Sequence, residues 1–572
     1  MRILQLKVLY IFLILIFKCG FMKISKNDLI FLPLGGSSEI GMNSNLYHYD
    51  DNWIMVDLGI SFADESMPGV DILLPDIDFI IEKRDKLKGI FLTHGHEDHM
   101  GAVQYIWDKL RAPIYGSSFT ISLLKRKLKE VGLLGNVQLH TISENKVINI
   151  GPFEIQPVSL THSIPDPLSF SISTKSGTIF HTGDWKFDNS PKVGSEPNYE
   201  MLKEIGKKGV LALVGDSTNA MVEGTTQSET EAFKGLRKTI KNSSGRIFIT
   251  CFASNVARVK SIIEASLENN KKIFLAGRSL NRAVEAANEV GYPVEGMETS
   301  FKNIDKYKHD DVVIIAGGSQ GELRSTMTRI AFSQHDRINV KPGDTAIFSS
   351  SKIPGNEIAI DKVHTAFLKK GVKVVTDEDE LVHVSGHPGK DDIIKLYKLI
   401  KPQISIPVHG TPKHLREHAN IAKVTGISLS IEPENGSLIK LSGNSPSIIN
   451  QIQIKSSVPD GSQILKSDSS IFTARRRLLW NGSVSAVIML DSELEIQLPI
   501  KIIQNGITER DDEMEWISEV KSDIEETIYS LNKNELTDDL IVEQKVRSSI
   551  RSVTKLLFKI KPLIDVHVLR VL

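Results

Sequence analysis

The chain has 572 residues, 41% hydrophobic and 24% charged, a composition that excludes a disordered or fibrous protein and fits three or four globular domains. Its 69 basic and 70 acidic residues cancel, which excludes a global positive field, so a nucleic-acid partner would have to be met by a local basic surface. Only two cysteines occur, Cys19 and Cys251, which excludes a disulfide framework and points to a reducing compartment.

Taken in chain order, residues 1–21 stand apart. Arg2 and Lys7 precede an apolar run from Val8 to Phe17, too short for the roughly 20 residues a membrane-spanning helix needs. Lys18-Cys19-Gly20-Phe21 lacks a small-residue cleavage pattern, and Met22 begins an ordinary start, so residues 1–21 are read as a start-site extension outside the fold. Strands follow at 29–34, 44–49 and 53–57, with a glycine-rich turn at 35–41, and Asp57 closes the apolar Ile54-Met55-Val56.

The most informative stretch is Leu92-Thr93-His94-Gly95-His96-Glu97-Asp98-His99. A short buried strand at 89–92 precedes it, and Val103, Ile106, Trp107 and Leu110 recur after it at helical spacing. Histidine nitrogens and carboxylate oxygens are what zinc accepts at about 2.0–2.2 Å. Four donors so close in sequence cannot all reach one tetrahedral ion without strain. The spacing therefore predicts two ions, with His94 and His96 on one and Asp98 and His99 on the other. Two further donors end strands, His162 in Thr161-His162-Ser163 and Asp184 in Gly183-Asp184-Trp185. Alone each reads as a turn residue; after a four-donor cluster they supply missing ligands.

In order and character, Asp57, His94 to His99, His162 and Asp184 resemble the metallo-β-lactamase superfamily. The resemblance implies an αββα sandwich with two zinc ions between its sheets. His94, His96 and His162 would hold the first, Asp98 and His99 the second, Asp184 would bridge them, and Asp57 would orient a ligating histidine.

Strands at 246–250, 272–275, 312–316, 345–348 and 372–375 then alternate with helical segments, which predicts a parallel, doubly wound sheet inserted as its own domain. The loops 253–255, 277–279, 317–322 and 349–356 follow those strands and are expected to lead into helix N-termini, which favour phosphate. Two apolar segments with a histidine follow the insert, Leu381-Val382-His383-Val384-Ser385-Gly386-His387 and Ile404-Ser405-Ile406-Pro407-Val408-His409-Gly410, each read as the end of a strand. With Asp216 in Gly215-Asp216-Ser217-Thr218-Asn219, they resemble the three extra motifs of the β-CASP branch of the superfamily.

Segments 35–41, 317–322, 353–357, 383–387, 407–410 and the terminal Ile564-Asp565-Val566-His567-Val568-Leu569-Arg570-Val571 narrow the resemblance to the ribonuclease J family over residues 29–572. Departures from the family pattern at Ser37-Ser38, Ala257, Pro388-Gly389-Lys390 and Thr411-Pro412 remove no ligand. The family implies a zinc-dependent 5′-to-3′ exonuclease and endonuclease acting in ribosomal RNA processing and messenger RNA decay, cytoplasmic and without a membrane. His387 would stand beside the scissile phosphate as a catalytic donor, Asp216 would orient a neighbouring histidine, and His409 would complete the second zinc. Ser254, Asn255, Val256, His383, Val384, Ser385, Gly386 and His387 would bind substrate.

The expected α/β architecture is thus a metallo-β-lactamase αββα sandwich at 22–208 and 376–440, an inserted doubly wound β-CASP domain at 209–375, a linker at 441–460 and a small α/β C-terminal domain at 461–572. That last domain would carry a homo-oligomer, dimer or tetramer, and other RNA-decay proteins are possible partners. Its helical stripes Met514, Ile517, Val520, Ile524, Ile528, Leu531 and Val542, Val546, Ile550, Val553, Leu557 read as core or interface, and Arg475-Arg476-Arg477 as a solvated basic run. A DNA nuclease of the same branch, a small-substrate hydrolase with the same zinc core, and a metal-free scaffold are the competing readings.

Overall fold

Asp50 and Asp51, at φ 46° and 62°, make the two-residue turn that pairs strand Ser44–Tyr49 antiparallel with Asn52–Val56, because positive φ at both positions matches the twist of a hairpin. Ile30–Gly35 pairs on the other side of Ser44–Tyr49. The computed structural model describes residues 24–571 apart from 65, 145, 299–300, 354, 444 and 498, so the reading of residues 1–21 lies outside the described residues. The chain divides into two units, one formed by Leu73–Ser456 with the residues up to Ser61, the other by Phe62–Ile72 with Ser457–Leu572.

Two mixed sheets face each other in the first unit. One has eight strands, in the order Ser447–Gln451, Ser437–Lys440, Ile30–Gly35, Ser44–Tyr49, Asn52–Val56, Leu87–Phe91, Ile114–Gly116 and Leu139–Thr141. The other has seven, in the order Leu429–Ser430, Ile404–Val408, Ala212–Asp216, Gly177–His181, Leu168–Thr174, Phe153–Ser159 and Ile148–Ile150. Alternation decides which side chain goes where. Ile179 and Val214 join Phe31, Tyr47, Val56 and Phe91 in the core between the sheets. Phe180 and Leu213 turn outward against Leu202, Leu396 and Ile421 of the covering helices Tyr199–Lys208, Lys390–Ile400 and Pro412–Val424.

The inserted sheet has six parallel strands in the order Met297–Glu298, Lys272–Ala276, Val312–Ala316, Ile247–Thr250, Thr345–Phe348 and Lys373–Val375. Val312–Ala316 is buried along its whole length, as a central strand of a parallel sheet covered on both faces must be.

Several elements differ from the sequence reading. Ala212–Asp216 lies between Gly177–His181 and Ile404–Val408 in the sandwich, although the boundary at 209 assigns it to the insert. Ser447–Gln451, inside the expected linker, is an edge strand of the eight-stranded sheet, paired with Ser437–Lys440 and with no residue fully buried. Residues 381–384 form no strand. The 317–322 loop reaches no helix directly; the next one, Thr326–Ala331, starts after a cap at Ser325.

In the second unit, strand Ser483–Leu490 alternates buried Val484, Ala486, Ile488 and Leu490 with half-buried neighbours. It pairs with Lys501–Asn505 and, in parallel, with Leu563–Arg570. Helices Arg510–Tyr529 and Asp539–Phe558 complete the core with Trp516, Val520, Ile524, Val542, Val546 and Ile550. Met514 and Leu557, the outer ends of the two stripes, are exposed. Arg475 forks onto Asp460 at 2.8 Å through both terminal nitrogens.

Candidate metal centre

Parallel strand ends build the site. Ile179, Phe180 and His181 pair in register with Ala212, Leu213 and Val214, and Asp216 lies opposite Val408. Asp184, Asp216 and His409 are therefore released at one edge of the seven-stranded sheet. Leu87–Phe91 of the facing sheet ends just before Thr93 and His94 and delivers the histidine cluster to the same place.

The donors meet in overlapping groups, each with one ligand atom per residue and all those atoms within 4.8 Å of one another, and Asp184 belongs to all of them. In the first, His96 Nδ1 lies 2.9 Å from His94 Nε2 and 3.1 Å from His162 Nε2. Asp184 Oδ2 is 3.9 Å from His94 and from His162. The opposite nitrogens are engaged elsewhere: His94 Nδ1 contacts Thr93 Oγ1 at 3.0 Å, and His162 Nδ1 donates to the Gly386 carbonyl at 2.7 Å. A β-carbon at Gly386 would come within 2.6 Å of the His162 ring, so only glycine permits that contact. Burial pushes His94 and His162 well below the ordinary histidine range and His96 down to about 4. His94 and His162 thus each turn a ring nitrogen toward His96 Nδ1, and neutral imidazole is the form that metals bind.

The second group is Asp98, His99, Asp184 and His409. His99 Nε2 is 3.1 Å from Asp184 Oδ2 and 3.5 Å from Asp98 Oδ2. His409 Nδ1 donates to Asp184 Oδ1 at 2.8 Å. Its Nε2 is buried without a hydrogen-bond partner, the 3.4 Å contact with Asp98 Oδ2 lacking the required geometry. An orphaned nitrogen of this kind costs about 1–3 kcal/mol, and a metal ion within reach removes that cost. Burial acts against a charge on His409, but Asp184, Asp98 and Asp216 outweigh it and raise His409 to about 10. His99 is raised well above its ordinary range against the same burial, by Asp184, Asp98 and Asp57. Carboxylates this dense demand positive charge, and a divalent ion supplies it by displacing those protons. The donor set fits a metal in both groups.

Asp57 is fully buried and its φ is 64°. Its carboxylate accepts from Thr93 N at 2.7 Å, from Thr93 Oγ1 at 2.8 Å and from His99 Nδ1 at 2.7 Å. The histidine it orients is therefore His99. Asp57→Asn keeps the volume but weakens this grip on the ring, so metal affinity is expected to fall about 10- to 100-fold. Titration of the stripped protein with zinc checks this, and an unchanged affinity would remove the orienting role.

His387 Nδ1 donates to Asp216 Oδ2 at 2.8 Å and lies 3.9 Å from Asp184 Oδ2. Burial works against its charge, but Asp216 and Asp184 prevail and hold its pKa above the ordinary value. With 21% of the side chain exposed, the ring edge opposite Asp216 is left for a ligand.

The residues expected to bind substrate are distributed differently. Asn255 Oδ1 caps its own helix by accepting from Arg258 N, and Val256 and Val384 are buried. His383 Nδ1 accepts from Arg258, and Ser385 Oγ accepts from Asn219 Nδ2 at 2.8 Å and from His387 N at 3.2 Å. Ser254 is half-buried. Sequence reading missed Thr93, whose hydroxyl joins Asp57 to His94. It also missed Asn43, whose side-chain nitrogen is 3.1 Å from His99 Nε2, and Thr226, which donates to the His387 carbonyl at 2.6 Å. Thr93 had a signal, its place inside the cluster; the other two had none.

An αββα sandwich interrupted by a parallel domain, with a shared-carboxylate histidine centre at its sheet edges, defines a metallo-β-lactamase-fold hydrolase of the β-CASP type. Residues 41–233 match the metallo-beta-lactamase superfamily and 244–366 the ribonuclease J beta-CASP domain. Residues 371–431 match the Zn-dependent metallo-hydrolase RNA specificity domain, and 471–571 the ribonuclease J C-terminal domain. The chain belongs to the ribonuclease J family. It is 37% identical to ribonuclease J of Sinorhizobium meliloti over 552 residues, which is 95% of this chain and 98% of that one. It is 34% identical to ribonuclease J2 of Bacillus subtilis over 467 residues, 81% of this chain and 84% of the relative. A crystal structure of a protein of unknown function from Enterococcus faecalis shares the fold at 18% identity and a TM-score of 0.50, covering 72% of this chain and all of the other.

Proposed function

We propose that this protein is a two-zinc ribonuclease that processes and degrades RNA in the cytoplasm, cutting from the 5′ end and internally. The observation that carries the reading is Asp184, a carboxylate shared by the first donor group, by the second and by the His387–Asp216 pair. In this assignment His94, His96 and His162 would hold one ion and Asp98, His99 and His409 the other, with Asp184 available to both. Two such ions, when bound, lower the pKa of a water and neutralise charge on a phosphodiester.

The chain's own groups do the rest. Asp216 fixes His387 by its Nδ1 and, with Asp184, favours its protonated form, in which Nε2–H would donate to the phosphate or to the leaving 3′-oxygen. The Gly386 carbonyl fixes His162. Ser254, Ser385 and His387, half-buried members of segments 254–256 and 383–387, would meet the 5′-phosphate, while Asn255, Val256, His383 and Val384 hold those segments in shape. Among the described residues no helix is long and apolar enough to cross a membrane.

Digestion of end-labelled RNA, of DNA and of a chromogenic ester separates this reading from a DNA nuclease and from a small-substrate hydrolase. RNA should be cut to 5′-phosphate and 3′-hydroxyl ends. A 2′-deoxy substitution at the cleavage position should cost only one hydrogen bond, about 0.5–1.5 kcal/mol, because the 2′-hydroxyl does no chemistry. Cyclic phosphate ends in the mass spectrum would overturn the mechanism. A 5′-triphosphate should be degraded more slowly than a 5′-monophosphate, and equal rates would overturn the phosphate grip alone.

The same reading assigns self-association, as a dimer or tetramer, to the C-terminal domain at 461–572, with other RNA-decay proteins as further partners. Chain ending at 456 keeps every donor and should show a lower mass by light scattering; an unchanged number of subunits would count against it.

A further inference from the structure

The segment that carries His387 lies in no sheet. Val382 and Val384 are 0% and 6% exposed, yet no strand pairs with them, and their carbonyls need donors as any buried carbonyl does. Two side chains supply these, Arg258 and Ser349. Arg258, 0% exposed, donates from Nη1 to Val382 O at 3.2 Å and to His383 Nδ1 at 3.0 Å, and from Nη2 to Val384 O at 3.3 Å. Nη1 also reaches Ser349 O at 3.0 Å and Ser349 Oγ at 2.8 Å, and that hydroxyl donates onward to Val382 O at 2.6 Å.

The charge is balanced by a fork. Nε and Nη2 of Arg258 donate to the two oxygens of Glu229 at 2.5 and 2.9 Å. Glu229 is tied in turn to the metal-site loops. Its N–H donates to Asp188 Oδ2 at 3.0 Å, Asp188 N donates to Thr161 Oγ1 at 3.0 Å, and that hydroxyl donates to Lys186 O at 2.6 Å. Thr161 precedes His162, and Lys186 lies two residues after Asp184. A buried ion pair adds little net stability. Five N–H groups aimed at fixed acceptors instead define a position, which a lysine's point charge cannot.

We infer that Arg258 is a positioning residue: its guanidinium sets the place of the 382–387 loop, and through that loop the place of His387. The inference rests on the reading of His387 given above. Arg258 sits one turn into the helix Val256–Glu268, so the same side chain joins the inserted domain to the loop over the metal centre.

Arg258→Lys keeps the charge opposite Glu229 and loses the fork. Metal content and the far-ultraviolet circular dichroism should match the wild type, kcat should fall at least tenfold, and KM should stay within twofold. If Arg258 acts through His387, the double variant Arg258→Lys/His387→Ala should be no slower than His387→Ala alone, because two changes on one path do not add. Should Arg258→Lys fail to fold, Ser349→Ala removes only the hydroxyl between Arg258 and Val382, and is expected to lower kcat about threefold with the same lack of additivity. Wild-type kcat per folded molecule, a loss confined to KM, or a fully additive double variant would each overturn the role of Arg258. Wild-type turnover in His387→Ala would overturn the underlying reading of His387 instead, and the two failures are told apart by that single variant.

Discussion

Asp184→Asn is expected to lose metal and turnover together while the secondary structure stays intact. Its Oδ2 lies 3.1 Å from His99 Nε2 and its Oδ1 2.8 Å from His409 Nδ1, with His94, His162 and His387 each at 3.9 Å. Burial opposes its charge, but His409, His99 and His387 hold the carboxyl well below the usual carboxylate range. An amide of the same shape removes that negative charge from every donor group at once. Metal catalysis contributes several kcal/mol of charge stabilisation, so the loss in kcat should be on the order of 10³-fold or more. His94→Ala provides the contrast, since it takes a donor from the first group only. Elemental analysis of both variants should show a larger metal deficit in Asp184→Asn. Near-wild-type turnover in a metal-depleted Asp184→Asn protein would sink the assignment.

His387→Ala is expected to behave in the opposite way, keeping its metal and losing rate. Its ring bonds to Asp216 rather than to the cluster histidines, and its side chain is more exposed than those of His94, His99 or His409. A single positioned donor or general acid is worth about 10²–10³-fold. Single-turnover cleavage of 5′-phosphorylated RNA should therefore slow by about that factor with KM little changed. Asp216 and Asp184 hold the His387 pKa above its ordinary value against burial, so the protonated donor persists to higher pH than in an ordinary histidine. Its contribution should fade as pH rises through that elevated pKa, and the pH profile of the alanine variant should lose this alkaline limb. Loss of metal with the rate would instead make His387 a ligand.

The chemistry of the centre was legible because much of it is local. His94, His96, Asp98 and His99 lie within one turn, so their convergence needs nothing from the rest of the chain. The strand Val312–Ala316 was legible for a similar reason: an all-apolar run of that length fits a covered parallel sheet whatever its neighbours. His162, Asp184, Asp216 and His409 were visible as donors at strand ends, and the family motifs ordered them.

What remained hidden depended on partners far away in the chain. Apolar residues at 381–384 signal burial, but burial does not say whether a strand or an arginine satisfies the carbonyls, and here Arg258, 124 residues from Val382, does so. Ser447–Gln451 gave no strand signal because an edge strand held by one neighbour here buries no residue fully. Ala212–Asp216 belongs to the sandwich rather than the insert because its edges match Gly177–His181 and Ile404–Val408, a fact of register. The amino-acid sequence by itself determined which donors the protein owns and which segments must be buried, since both follow from residue type and near-neighbour spacing. Only the tertiary structure decided which carboxylate serves which histidine: His99 reaches Asp57 across 42 residues because their strands are neighbours in one sheet, and His387 reaches Asp216 across 171 residues because the 382–387 loop lies over the end of the other.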